Sequence, residues 1–170
     1  HRREPFDVKH QTVVRGNRDT LYSSGVFDLD AGPVTITMPD AGKRFMSLMV
    51  VNEDHYVTDV FHGAGSHTFT RDGVGTRYVL IAVRTLIDPT KPGDADEVHR
   101  LQDAIKLDQP GGPGTLDMPA WDKTSQDTVR NALLALNTTM ESFNKAFGRK
   151  SEIDPVHHLI ATAAAWGGNP

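Results

Sequence analysis

The sequence predicts an α+β protein, mainly β, in which a jelly-roll or sandwich-like β domain is followed by packed α-helices. Two observations carry this. Residues 12–88 consist of short apolar runs of strand character separated by Gly, Pro and Asp turns, the pattern of a sandwich or jelly roll. After residue 88 the apolar period lengthens to three and four residues, the spacing of amphipathic helices. The expected organisation is an arm over residues 1–11, a β core over 12–88, and a helical extension over 89–170. That extension carries a Pro/Gly linker at 109–114 and packs on the core as one domain. A chain of 170 residues is long enough for one sizeable core.

Taken in order, residues 12–15 read as a short strand. Leu21, Ser23, Gly25, Phe27 and Leu29 alternate with Tyr22, Ser24, Val26 and Asp28, which predicts a strand over 21–29. Asp30-Ala31-Gly32-Pro33 is a turn, since Gly permits positive φ and Pro fixes the next φ. Val34, Ile36 and Met38 then alternate with threonines as a half-buried strand. Residues 45–51 are almost continuously apolar and read as a strand buried on both faces. Residues 56–62 and 67–70 read as two strands joined by a Gly63-Ala64-Gly65-Ser66 hairpin loop. Residues 72–75 turn the chain, and 77–84 form the strand richest in β-branched residues.

In the second half, Asp94 and Glu97 read as a capping pair for a helix whose apolar face is Val98, Leu101 and Ile105. Gln109-Pro110-Gly111-Gly112-Pro113-Gly114 tolerates neither helix nor central strand. A long helix is expected over 125–147, with Val129, Leu133, Leu136, Met140, Phe143 and Phe147 as a narrow stripe suited to helix–helix packing, and Gly148 as its stop. A last helix is capped by Asp154, has Pro155 in its first turn and ends at Gly167-Gly168. Trp121 reads as an anchor for the segment that carries it.

The densest polar stretch is Arg15-Gly16-Asn17-Arg18-Asp19-Thr20. One reading is a structural turn in which Asp19 ties down Arg18 and backbone N–H groups. The other is a ligand clamp of Arg15, Asn17, Arg18, Asp19 and Tyr22, in which a guanidinium fork binds an anion or carboxylate. The motif Asn17-Arg18-Asp19-Thr20-Leu21-Tyr22-Ser23, followed by Asp30-Ala31-Gly32-Pro33, resembles the signature of the bacterial domain of unknown function 1254 family. Gly75-Thr76-Arg77-Tyr78, Arg84-Thr85, the run from Val98 to Gln102 and Trp166-Gly167-Gly168-Asn169-Pro170 fit the same resemblance. It implies a jelly-roll-like β domain with attached helices and no agreed reaction. It also implies a second domain after the Trp166 segment, so the chain reads as the front part of a longer protein. Many similar proteins look exported, which makes the periplasm the expected compartment.

Composition narrows the function. The formal charge of −4, with no Lys/Arg run, argues against nucleic acid. No apolar stretch is long enough to span a membrane, and the first residues lack the apolar core of a signal peptide. With no cysteine, disulfides, thiolate catalysis and Cys-based zinc sites are excluded. No cofactor motif is present: neither glycine-rich loop precedes a helix. His62 and His67 flank the hairpin loop and could face each other within metal-ligand range, although exposed polar side chains are the commoner reading. Ser23-Ser24-Gly25 lacks the G-x-S-x-G elbow, although Thr20 or Ser23 could meet one of eight histidines. The expectation is a binding or structural module, self-associating or paired with the missing domain. The alternative is a hydrolase-like enzyme acting on a small anionic or carbonyl compound at the clamp.

Overall fold

The structure is a computed structural model and describes residues 1–5 and 17–166, excluding the side chains of 165 and 166. The strand expected at 12–15, Arg15 and the Gly167-Gly168 helix end lie outside the described residues. The elements in order are β1 (Thr20–Asp28), a 3-10 turn (Leu29–Ala31), β2 (Val34–Met38), β3 (Met46–Asn52), β4 (Val57–His62), β5 (Gly65–Phe69) and the short helix α1 (Arg71–Val74). Then come β6 (Tyr78–Leu86), α2 (Asp94–Asp103), β7 (Lys106–Asp108), α3 (Lys123–Asn137) and α4 (Pro155–Trp166). Two antiparallel sheets result, one ordered β1-β6-β3-β4 and the other β5-β2-β7. β1 pairs with β6 from Thr20↔Leu86 to Asp28↔Tyr78, and β3 lies on the other side of β6.

The alternation of the strands sets the layers. Val79, Ile81 and Val83 of β6 point inward with Met46, Leu48 and Val50 of β3, and meet Val34, Ile36 and Met38 of β2 and Phe69 of β5 in one core. Burying each such aliphatic side chain contributes about 1.5–3 kcal/mol. The strands therefore form the two-layer, sandwich-like region that the sequence predicts, but the sheets are not closed into a barrel. Nor is the described chain mainly β, since helices hold about as many residues as strands. The turn at Leu29–Ala31 is fixed by Asp28, whose carboxylate accepts the Asp30 N–H, and ends at Gly32 with φ 122°.

Three local expectations are corrected. β4 and β5 are not a hairpin: Gly63 and Gly65, both at positive φ, carry the chain from one sheet to the other, and β5 pairs with β2 from Val34↔Phe69 to Met38↔Gly65. His62 accordingly lies 5.8 Å from the Phe45 ring, while His67 stacks at 3.9 Å on Phe61. The long helix stops at Asn137, where the hydroxyls of Thr138 and Thr139 donate to the carbonyls of Ala135 and Leu136 and compete with the helical bonds. Asp94 is not a cap: Gly93 takes that position without a side-chain bond. The Asp154 expectation holds, since its carboxylate accepts the N–H groups of Val156 and His157 at the start of α4.

The chain divides into two compact units, His1–Asp54 with Asp59–Thr115, and His55–Thr58 with Leu116–Pro170. The first holds both sheet cores and α2. The second holds α3 and α4, packed on each other, with His158 buried, stacked at 4.4 Å on Tyr56, its Nδ1 2.7 Å from the Ala146 carbonyl oxygen. No residue of α3 is buried, and Trp121, read as an anchor, is 68% exposed.

Candidate ligand site between the sheets

Every second residue of β1 faces the core: Leu21, Ser23, Gly25 and Phe27. Their cross-strand partners on β6 include Val83 for Ser23 and Ile81 for Gly25, both buried. A core position normally carries a Leu- or Val-sized side chain, because interiors are close-packed. Ser and Gly at two successive inward positions leave a hollow instead. A methyl group at Gly25 would sit 3.0 Å from the Phe27 ring, so the ring occupies part of the space the glycine vacates. What remains is a pocket of about 180 Å³ that opens to solvent, walled by Ile36, Ile81, Val83, Ile105 and Leu107 and edged by His1, Ser23 and Ser24.

The polar edge is built by α2 and the amino-terminal residues. Val98 and Gln102, four apart on α2, share its buried face. The Gln102 Nε2 donates to Ser23 Oγ at 3.2 Å, and to the carbonyls of Arg2 at 3.1 Å and Tyr22 at 3.2 Å. The N–H of Arg2 donates to the Tyr22 carbonyl at 2.7 Å, covering the free edge of β1. Arg3 pairs with Asp103 and donates to the His99 carbonyl at 3.1 Å. These bonds hold His1 over the hollow, with its Nδ1 2.6 Å from Ser23 Oγ. Ser23 Oγ has two lone pairs and one proton, so beside Gln102 it exchanges one hydrogen bond with His1 Nδ1, as donor or acceptor according to the imidazole tautomer. The edge of the cavity is thus a hydroxyl and an imidazole beside an apolar wall.

Two buried carboxylates brace the same unit. Asp28, 5% exposed, receives Arg77 Nε at 3.0 Å and Nη2 at 2.8 Å, together with the N–H groups of Asp30 at 3.0 Å and Thr115 at 3.1 Å. The Arg77 fork is the largest influence holding the Asp28 carboxyl far below the usual carboxylate range, against the opposing effect of burial. Asp94 accepts a bidentate fork from Arg44 at 2.8 and 2.6 Å and the Asp88 N–H at 2.8 Å, and is lowered for the same reason. The stretch 109–114 is docked rather than free within this unit: Gln109 Nε2 donates to the carbonyls of Asp28 and Gly32 at 2.8 and 3.2 Å. Gly114, at φ +66°, lies so close to Asp28 that an added Cβ would meet it at 2.6 Å.

The expected clamp residues fall in different places. Arg15 lies outside the described residues. Asn17 makes the turn, its Oδ1 accepting the Asp19 N–H at 2.8 Å, so here the Asn17 side chain and not the Asp19 carboxylate accepts the backbone N–H. Arg18 and Asp19 are exposed, and among the described residues no ion pair joins them. Tyr22 is on the outward face of the sheet, cross-strand from Arg84, whose guanidinium carbon is 5.7 Å from its ring. Arg84 is half-buried, its Nε has no hydrogen-bond partner, and no carboxylate pairs with it among the described residues. His62 and His67 belong to different sheets, and among the described residues no three His, Cys, Asp or Glu side chains are grouped to hold a metal ion. Sequence reasoning missed Gln102 and His1 as partners of Ser23, because both contacts depend on tertiary structure. The one available signal was the pair of small residues in the inward row of β1.

Fold and site together define a two-sheet sandwich-like domain with an inter-sheet pocket, continued by a helical unit. Residues 1–74 match the model of the family described as "Protein of unknown function (DUF1254)", so the resemblance carried by the Asn17–Ser23 motif holds over that part of the chain. No curated protein matches the chain. Among solved structures it is similar to the VPA0106 protein from Vibrio parahaemolyticus, with a TM-score of 0.68 and 16% identity over 91% of this chain. The likeness is one of fold. The chain spans 58% of that protein's chain. No described helix is long and apolar enough to cross a membrane.

Proposed function

We propose that the chain is a binding module whose site is the hollow between the sheets at Ser23 and Gly25. The observation that supports this is the conjunction of an apolar cavity of about 180 Å³ with a hydroxyl–imidazole pair at its edge. Ligand sites combine mostly apolar walls with a few placed polar groups in this way. A bound molecule that covers these apolar walls removes them from water, which is favourable. The test is thermal unfolding of the chain with and without a saturating small apolar molecule such as toluene. Binding raises the midpoint in proportion to the logarithm of ligand excess. Gly25→Val, whose side chain must push the Phe27 ring aside within the pocket, is expected to abolish the rise; an equal rise in that variant, shown to be folded, would sink the proposal.

A second reading has its own support. A half-buried guanidinium that meets no carboxylate among the described residues carries a desolvation cost that an anion would offset. Arg84 beside Tyr22, with Arg18 exposed at the start of the strand, is therefore the place where an anionic compound would bind, whether for recognition or for hydrolase-like chemistry. As for partners, the helical unit exposes Leu116, Met118, Val129, Leu136, Val156 and Leu159. We assign this surface to further polypeptide of the kind that makes the Vibrio chain longer, in preference to self-association. Export to the periplasm belongs to the same reading and rests on family resemblance.

A further inference from the structure

We infer that the ligand of the inter-sheet pocket carries a straight alkyl chain, which lies lengthwise in a cleft between the edge strands β1 and β7. The inference rests on the pocket being a ligand site and names the shape of what fills it. β1 ends one sheet and β7 ends the other, so no strand among the described residues bridges the two on this flank. Leu107 belongs to the inward row of β7, since its cross-strand partner on β2 is the buried Ile36. Yet Leu107 is 57% exposed. The β1 row that shares the pocket with it offers Ser23 and Gly25, which are too small to cover it. An apolar side chain on a core-facing row is thus left in water by the fold itself.

The apolar surface continues past Phe27. A second hollow of about 440 Å³, also open to solvent, is lined by Val26, Gln109, Gly112 and Pro113. Phe27 and Leu107 wall both hollows, so the two meet at these side chains. The linings follow both segments in the same direction: Ser23 and Ile105 belong to the first hollow, Val26 and Gln109 to the second. The cleft is therefore long rather than round. From Ser23 to Phe27 it spans about 13 Å at the usual rise of a strand, the reach of a straight chain of roughly ten carbons at ordinary C–C bond lengths. A compact ring fills one hollow, whereas a chain fills both. A short chain is held by the first hollow, whose walls include the buried core residues Ile36, Ile81 and Val83. A longer one also covers Leu107 and Val26, the latter 53% exposed, and each methylene laid on them removes apolar surface from water.

The experiment is a methyl-resolved NMR titration of the whole chain with 1-butanol, 1-hexanol and 1-octanol, each kept below its solubility limit. Ile36 reports on the first hollow and Val26 on the second. Affinity is expected to rise about twofold to fourfold per methylene, the range between a half-covered and a fully buried methylene. Butanol should shift Ile36 alone, and octanol should shift Ile36 and Val26 with one dissociation constant. Val26→Glu, at an exposed position and checked for an unchanged unfolding midpoint, should weaken octanol several-fold and leave butanol as it was. Octanol binding no more tightly than butanol, with the Val26 methyls unmoved, would overturn the chain reading and leave the pocket standing, because Ile36 would still respond. Octanol affinity unchanged in Val26→Glu would overturn it as well. No response of Ile36 to any of the three would remove the pocket and the chain together.

Discussion

Asp28 and Asp94 are each a carboxylate taken out of water and satisfied by an arginine fork and backbone N–H groups. Removing one partner of such a pair strands the other charge. Arg44→Met should therefore lower the unfolding free energy by roughly 3 kcal/mol, the low end for a buried pair, since Arg44 retains some solvent contact. Arg77→Lys keeps the charge and loses the planar fork, and a lowered urea midpoint is the expected outcome. Both carboxyls titrate at lower pH in the folded chain than in the unfolded chain. The unfolded chain thus binds more protons in acid. The stabilisation is fully present above the unfolded value of about 3.9 and is lost as pH falls below it. Urea midpoints measured from pH 6 down to pH 3 should decline, and the decline should be shallower in Asp94→Asn. Neither pairing was legible beforehand. Nothing in local spacing points from Asp28 to Arg77, 49 residues away. Asp94 looked like a helix cap because it sits where one belongs by sequence, and Arg44 claims it by tertiary contact.

Elements were legible where the local pattern and the tertiary environment agree. The strands at 20–28 and 34–38 lie within a residue of their expected bounds and the Asp154-capped helix starts where expected, because each has a period and a turn or cap of its own. β7 is three exposed residues with no period, so only its pairing with β2 defines it. The β4–β5 corner carries the glycines of a hairpin, but the choice between pairing back and crossing to the other sheet is made by the rows of side chains facing the core. The apolar stripe over 125–147 fits a long helix until Thr138 and Thr139 capture carbonyls of the preceding turn. The consequence is measurable. Leu48→Ala, in the shared core, should cost about 2–5 kcal/mol, whereas Leu136→Ala on the exposed side of α3 should change the unfolding free energy by less than about 0.5 kcal/mol. Equal losses would contradict the assignment of the core. Gly114→Ala should destabilise as well, since it meets Asp28 and must hold positive φ.

At the scale of the whole molecule, apolar burial is uneven. The unit with the sheets holds nearly all buried aliphatic side chains, while Leu116–Pro170 contributes Ala146, Ile160 and Ala161. Amide hydrogen exchange should therefore be slowest in β3 and β6 and fastest among helical amides in α3. The site follows the same logic. The inward row Leu21-Ser23-Gly25-Phe27 could be read from the alternation, but small residues suit an outward face as well as a hollow, and only the pairing with Ile81 and Val83 decides between them. The polar knot drew attention by its charge, and charge on a strand lead-in is most easily accommodated in solvent, which is where Arg18 and Asp19 lie. The central claim is that the hollow is a binding site, and methyl-resolved NMR of the chain titrated with benzyl alcohol tests it most directly. The account predicts saturable shifts at Ile36, Ile81 and Val83 that vanish in Gly25→Val. Unmoved core methyls, or shifts that persist unchanged in that variant, would contradict it.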